Sequence, residues 1–344
     1  MTPKDLALFV VRRLLLLATT LLGIVTIVFL MIKAIPGDEA QAAAGLTASP
    51  EQVEAVRRRL GLDDSVLQQY VGYLGRLLHG DLGNSIFTFR PVASDLSGLI
   101  PYTIELVVLA MLINVSVGVP AGMLAAARHR SRVDDSVRLL AIFCGALPTF
   151  WLAMIGQAVI GRQLGLTPIS GVATIGLDVP RRTGFLTLDS LLAGNVVAFN
   201  DALAHLVLPA AVLSIPFMSF VIRVVRSSMI TALEADHVTA ARAKGASERT
   251  VLVRHGLRNA IAPVSTLLGL QIGWMMGGAV LVETVFNRPG FGSYLTQAVA
   301  HKDTFAVLGM VLVVGVIVTF VGLVVDLVQL VADPRVRLLE ARRA

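Results

Sequence analysis

The chain has 344 residues, 55% of them hydrophobic, and a formal net charge of +6; its mean hydropathy of +0.77 excludes an ordinary soluble domain of this size. The single cysteine, Cys144, excludes an intrachain disulfide and a cysteine-rich metal centre. The excess of 29 basic over 23 acidic residues needs no nucleic-acid partner, because basic residues flank membrane spans on the inner side.

Six stretches lack Asp, Glu, Lys and Arg altogether: 14–32, 106–127, 139–161, 202–222, 260–282 and 304–325. Each is long enough to cross about 30 Å of hydrocarbon, and in lipid the backbone must satisfy its own hydrogen bonds. The expected fold is an all-α polytopic membrane protein with six transmembrane helices. A cleaved signal peptide is the competing reading of the N-terminus, where Lys4, Arg12 and Arg13 precede the first run. The nineteen residues of 14–32 run into Lys33 and Pro36-Gly37 with no small-x-small cleavage site, which favours a retained anchor.

Segment 33–100 is too long for a plain connector. Pro50-Glu51 opens a helical pattern with Val53, Val56 and Leu60 at spacings of three and four, stopped by Gly61. Asp64 or Ser65 opens a second, with Val66, Leu67, Tyr70, Val71 and Leu74 as its apolar stripe, stopped near Gly80. Both read as amphipathic helices over the outer mouth, a structural cap or a contact for an external binding protein. Segment 161–201 has few helix signals. Pro120, Pro148, Pro209 and Pro216 fall within spans, where neighbouring helices satisfy the backbone they free.

An even number of spans places both termini on one side. Putting that side in the cytosol gathers eighteen of the 29 basic residues into the shorter inside segments, among them Arg128, Arg130, Arg132, Arg138, Arg223 and Arg226. That density fixes the expected orientation, with the N- and C-termini cytosolic.

The inside segment 235–263 is the most informative. Leu233, Asp236 and Val238 open a short helix; Ala240, Ala241 and Ala243 continue it with side chains small enough to admit another backbone. Gly245 stops it, because glycine adopts the left-handed conformation a helix end needs. Ser247 is the N-cap of a second helix opening at Glu248. That helix carries Arg249, Arg254, His255 and Arg258, and Pro263 stands at the start of the fifth span. An ordinary basic loop is the plain alternative; a helix–glycine–helix unit at the surface instead transmits a push.

The order of these residues resembles the cytoplasmic loop of ABC-importer permeases. The specific resemblance is to the dipeptide/oligopeptide (peptide/nickel) binding-protein-dependent family and its B-type permease subunit. The pattern runs from Arg12-Arg13-Leu14-Leu15 through Pro36-Gly37-Asp38, Leu60-Gly61-Leu62-Asp63, Gln69-Tyr70 and Gly80-Asp81-Leu82-Gly83. It continues with Pro148-Thr149-Phe150-Trp151, Arg226-Ser227-Ser228-Met229, Ala241-Arg242-Ala243-Lys244-Gly245 and Leu257-Arg258-Asn259-Ala260. Gly277-Gly278-Ala279-Val280 with Glu283, Pro289-Gly290 with Gly292, and Asp333-Pro334-Arg335-Val336-Arg337 complete it. Where the wider importer motif begins Glu-Ala-Ala, this chain has Thr239-Ala240-Ala241, so the acid is absent. The resemblance implies a type I ABC importer permease fold in the cytoplasmic (inner) membrane. It implies residues 1–100 as the first helix plus an extracytoplasmic helical segment, 101–332 as a five-helix core with its coupling loop at 231–259, and 333–344 as a cytosolic tail. It also implies ATPase coupling through Asp236, Ala240, Ala241, Arg242, Lys244, Gly245, His255, Arg258 and Asn259. The implied partners are a second, homologous permease, two ABC ATPases carrying ATP and Mg, and an extracytoplasmic peptide-binding protein.

Polar groups in or near the spans, Glu105, Asn114, His205 and Gln271, are costly against lipid and are expected to face protein or a water-filled path. Gln271 with Trp274, Met275 and Met276 is the candidate translocation face, interhelical packing being the other reading. Gly269, Gly273 and Gly277 have the small-x-x-x-small spacing of close helix contact. No glycine precedes a lysine, so a phosphate-cradling G-x-x-x-x-G-K-[ST] loop is absent and hydrolysis is expected on separate subunits. An ion-gradient-driven secondary transporter is the alternative; Glu105, Glu283 and Asp326 are its only candidate couplers, and no inverted repeat is visible.

Overall fold

The computed structural model describes residues 3–34, 37–45, 47–177 and 179–332, with side chains described at 11, 13 and, within those ranges, 15–325. The Asp326 side chain and the tail motif at 333–337 lie outside the described residues.

The described chain is helical, with one isolated bridge between Asn84 and Pro91. Its helices are α1 (Pro3–Ala34), α2 (Glu39–Ala44), α3 (Pro50–Arg59), α4 (Val66–Leu78), α5 (Val92–Ala127), α6 (Arg132–Ala146) and α7 (Thr149–Gly156). They continue as α8 (Leu186–Leu192), α9 (Val196–Leu233), α10 (Asp236–Ala243), α11 (Glu248–Thr250), α12 (Arg258–Val285), α13 (Phe291–Ala300) and α14 (Thr304–Ala332). Among the described residues, five helices are long and apolar enough to cross a membrane. The sixth expected span, 139–161, is broken: α6 and α7, the latter extended by a π-helical turn Gln157–Gln163, meet at 95°. The break falls at Leu147 and Pro148, both extended, as the residue before a proline prefers.

The chain divides into two compact units, one of 1–6, 102–288 and 320–344, the other of 7–101 and 289–319. In the second, α3 and α4 start where the sequence places them. Ser49 and Ser65 each form a capping box, with Gln52 and Gln68, and Pro50 takes the first helical position. The expected apolar stripe of α4 is corrected. Val66, Leu67 and Val71 are exposed, and the buried member is Tyr73, 1% exposed. Tyr73 joins Val25, Phe29 and Leu308 in a core that Tyr70 and Leu74 cover. The aromatic residues have the larger area to remove from water, so they set the helix rotation. Ser85 donates to the buried Asp303 carboxylate at 2.6 Å, and the Ile86 N–H donates to the same oxygen at 2.7 Å. These bonds tie the segment before α5 to the turn after α13, a helix the sequence did not announce.

In the first unit α9 is the central post. Its C-terminal half shares a core with α5 and the start of α12, through Ala126, Val221, Val225, Met229, Ala260 and Val264. A Cβ on Gly122 of α5 would come within 2.7 Å of Val225 and 2.9 Å of the Ile222 carbonyl oxygen, so glycine is what permits this approach.

Candidate functional site

The candidate site is the short helix between the two longest rods of the first unit. α9 runs unbroken to Leu233, and α10 begins at Asp236. Val238 is fully buried and anchors α10, while Asp236, His237, Thr239, Ala240, Arg242 and Ala243 are exposed and Ala241 is half-buried. A helix with one buried anchor and an alanine-lined outer face offers a surface that another backbone can approach closely. Gly245 ends it at φ +85°, with open space around it. Ser247 caps the next turn by accepting from the Thr250 N–H, as the sequence predicts.

The second arm differs from expectation. α11 is one turn that passes into a π-helical segment, Val251–Leu257, and then directly into α12, so 248–285 is one continuous rod. Pro263 therefore lies inside α12, not at its start. Gly256 in the π turn is buried; a Cβ there would meet Met229 at 2.8 Å and Leu233 at 3.4 Å, which packs the turn against the end of α9. Arg242 donates to Glu248 at 2.9 Å across the glycine turn. Asn259 donates to the His255 carbonyl at 2.7 Å, and the His237 and His255 rings lie 6.1 Å apart. The structure thus groups Asp236, Ala240, Ala241, Arg242, Lys244 and Gly245 on the α10 turn. His255, Arg258 and Asn259 stand on the adjoining rod, with Lys244, Gly245, Arg258 and Asn259 exposed.

One anchoring contact was not expected from the sequence. Arg226 of α9 donates to both oxygens of Asp134, at 2.5 and 2.7 Å, and the Arg130 N–H donates to the same carboxylate at 3.1 Å. Asp134 is 1% exposed, so this is a buried bidentate pair holding the α5–α6 turn against α9. Ser131, which accepts from the Asp134 N–H, makes 131–134 a Ser-x-x-Asp helix start. That pattern marks the helix but not the partner 92 residues away.

The polar groups within the spans are enclosed by protein. Asn114 donates to Gln271 at 2.7 Å, and Gln271 donates to the Phe217 carbonyl at 2.9 Å. Glu105 accepts from the Thr187 N–H and hydroxyl, and Glu283 accepts from Thr103. His205 lies against Asp201. Of the candidate translocation residues, Gln271, Met275 and Met276 are buried, whereas Trp274 is half exposed beside Phe220. Gly269 closes on Val325 of α14, while Gly277 faces open space.

Comparison with known proteins gives consistent matches. Residues 118–338 match the family described as binding-protein-dependent transport system inner membrane component. Residues 6–106 match the N-terminal region of the membrane component of such systems. The chain is 39% identical over 330 residues to the di/tripeptide transport system permease protein DppB of Pseudomonas aeruginosa (strain UCBPP-PA14), covering 96% of this chain and 98% of that one. It is 38% identical over 333 residues to the dipeptide transport system permease protein DppB of Escherichia coli (strain K12), with the same coverage. It is similar in fold to an inward-facing structure of the MetNI methionine ABC transporter, with TM-score 0.51, 12% identity, and coverage of 67% of this chain and 93% of that one.

Proposed function

Because the chain belongs to the binding-protein-dependent transport system inner membrane components, in the peptide ABC-importer branch, we propose that it moves di- or oligopeptides inward across the cytoplasmic membrane by alternating access. In this reading both termini and α10 face the cytosol, and α10 is the coupling helix. A second, related permease completes the path, two separate ATPase subunits bind ATP and Mg, and an extracytoplasmic binding protein delivers the peptide. The observation that carries the proposal is the seating of α10. One buried residue, Val238, and two unbroken rods, 196–233 and 248–285, hold an exposed small-residue helix.

The mechanism follows from stiffness. A force on α10 passes through the Gly245 turn, which the Arg242–Glu248 pair spans, into the rod that begins at Glu248 and through Leu233 into α9. ATPase closure that pulls α10 then tilts α9 and α12 together; of the candidate translocation residues the half-exposed Trp274 lines the path, while Gln271, Met275 and Met276 pack between helices. A partner ATPase grips the turn through Asp236, Ala240, Ala241, Arg242 and Lys244, while His255, Arg258 and Asn259 border it.

Charge reversal tests this. In the reconstituted complex, Arg242→Glu leaves ATP hydrolysis running but lowers peptide uptake at least about tenfold, the size expected when a charge-assisted contact is reversed. Arg242 also pairs with Glu248, so the double variant Arg242→Glu/Glu248→Arg restores the local pair and separates the two roles. Uptake that stays normal in Arg242→Glu, or recovers fully in the double variant, refutes a docking role for this turn.

A further inference from the structure

We propose that a cleft in the unit of 7–101 and 289–319, between α1, α4 and the start of α14, binds a phosphoryl group presented by the headgroup of an anionic phospholipid. The cleft has a volume of about 430 Å³ and an aromatic floor of Phe29, Tyr73 and Phe305. Its walls carry five cationic side chains, Lys33, Arg58, Arg59, Arg76 and Lys302, against two carboxylates, Glu39 and Asp64. Lys33 and Glu39 pair with each other at 2.8 Å and Arg58 lies 3.7 Å from Glu54, so the lining stays net positive through Arg59, Arg76 and Lys302 against Asp64. Arg76 is positioned by a ring, its guanidinium 4.5 Å from the Phe305 centroid, and this leaves its N–H groups free to turn toward an anion.

One further observation points to an absent acceptor, and another shows how the Lys302 side chain is placed. The Tyr73 hydroxyl is buried and has no hydrogen-bond partner among the described residues; burial pushes the phenol up to about 12, with Arg76 opposing, so it remains a donor. Lys302 takes a left-handed backbone conformation, φ +55°, and its side chain crosses Gly37 so closely that a Cβ there would lie 1.5 Å from Nζ. Gly37 is what lets the ammonium through.

Position selects the ligand class. Phe29 and Lys33 lie in the last turns of the apolar stretch Leu15–Ala34, and Thr304 and Phe305 begin Thr304–Val325. The cleft therefore stands at the hydrocarbon–water boundary, where phosphodiester headgroups reside. Arginine forks match phosphoryl oxygens, and basic pockets beside spans suit such headgroups.

The test uses the full chain in its transporter complex, with native mass spectrometry after exchange into phosphatidylglycerol or into a phosphate-free galactolipid. Phosphatidylglycerol is retained by the wild type and by Arg138→Gln, whose residue pairs with Asp135 and does not line the cleft. The double variant Arg59→Gln/Arg76→Gln retains about tenfold less, as loss of two charge-assisted contacts predicts. A parallel titration of lipid-free complex with inorganic phosphate separates the sources: binding there alone, abolished by the same double variant, supports the anion site with a soluble ligand. Equal retention of phosphatidylglycerol by wild type and double variant, or equal retention of the galactolipid, overturns the proposal.

Discussion

Arg288 illustrates how single residues carry the enclosed polar framework. Pro209 has no N–H, so the His205 carbonyl, four residues earlier in α9, loses its helical donor. Arg288, 3% exposed, supplies it: Nη1 donates to the His205 and Gly171 carbonyls, each at 3.2 Å. Its charge also acts on the buried Glu105 and Glu283. Arg288→Met keeps the length and removes the donors, so it orphans buried carbonyls at about 1–3 kcal/mol each. The expected result is a thermal midpoint several degrees lower in detergent, with Arg288→Lys in between; an unchanged midpoint for Arg288→Met refutes the capping role. Asp189 is a second such residue, placed before α9 in the short helix α8. Burial pushes its carboxyl up, yet hydrogen bonds from Thr183 (N–H and hydroxyl), Arg182 N–H and Gly184 N–H outweigh that and hold it below the ordinary carboxylate range. A depressed value contributes stability above the unfolded value, about 3.9, and loses it as pH falls through the folded value. Amide exchange at Thr183 and Gly184, corrected for intrinsic rate, should stay slow at about pH 5 and accelerate only below that window. Protection that is flat on acidification contradicts this reading of the turn.

At the scale of elements, start and stop chemistry was legible in the sequence and direction was not. Pro50, Ser65, Ser247, Gly61 and Gly245 mark ends that the structure places as read, because start and stop signals are local interactions. The 95° break at Leu147–Pro148 was marked by Pro148 but not by the apolar run around it, since hydropathy records burial in lipid and carries no information on the axis of the helix. The rotation of α4 and the pairing of Asp134 with Arg226 depend on residues distant in the chain, which no local period encodes. The turn around α10 was legible for the same reason as the caps: its anchor, its alanines and its glycine are consecutive. The glycine pattern makes the distinction quantitative. In the row Gly269, Gly273 and Gly277, Gly269 closes on Val325 of α14 at 2.8 Å while Gly277 meets open space; the α5–α9 approach is made by Gly118 and Gly122, with Cβ clearances of 3.1 and 2.7 Å to Val221 and Val225. Gly122→Val must displace the α9 backbone and should cost about 1–3 kcal/mol, the usual range for overpacking. Gly277→Val meets open space and should cost less than the helix-propensity scatter of about 0.5 kcal/mol. Equal midpoints for the two variants would show that the α5–α9 contact does not limit stability.

At the scale of the molecule, the proposed function depends on which faces of the membrane the helix ends meet. The basic residues Arg128, Arg130, Arg223, Arg226, Arg242, Lys244, Arg254 and Arg258 cluster at the ends of α5, α9 and α12 that flank α10. Positive charge is retained on the inner side, so this end should be cytosolic and α3 and α4 should lie outside. The chain has one cysteine, Cys144, so a Cys144→Ala background permits a clean labelling experiment. Ser65 and Ser247 are both exposed N-caps, on α4 and α11, and cysteine at either position leaves the buried framework untouched. In intact cells a membrane-impermeant maleimide should label Ser65→Cys and spare Ser247→Cys; permeabilisation should expose Ser247→Cys as well. The inverse pattern would put α10 on the side without ATP, and no stiffness of α9 or α12 could then connect it to hydrolysis.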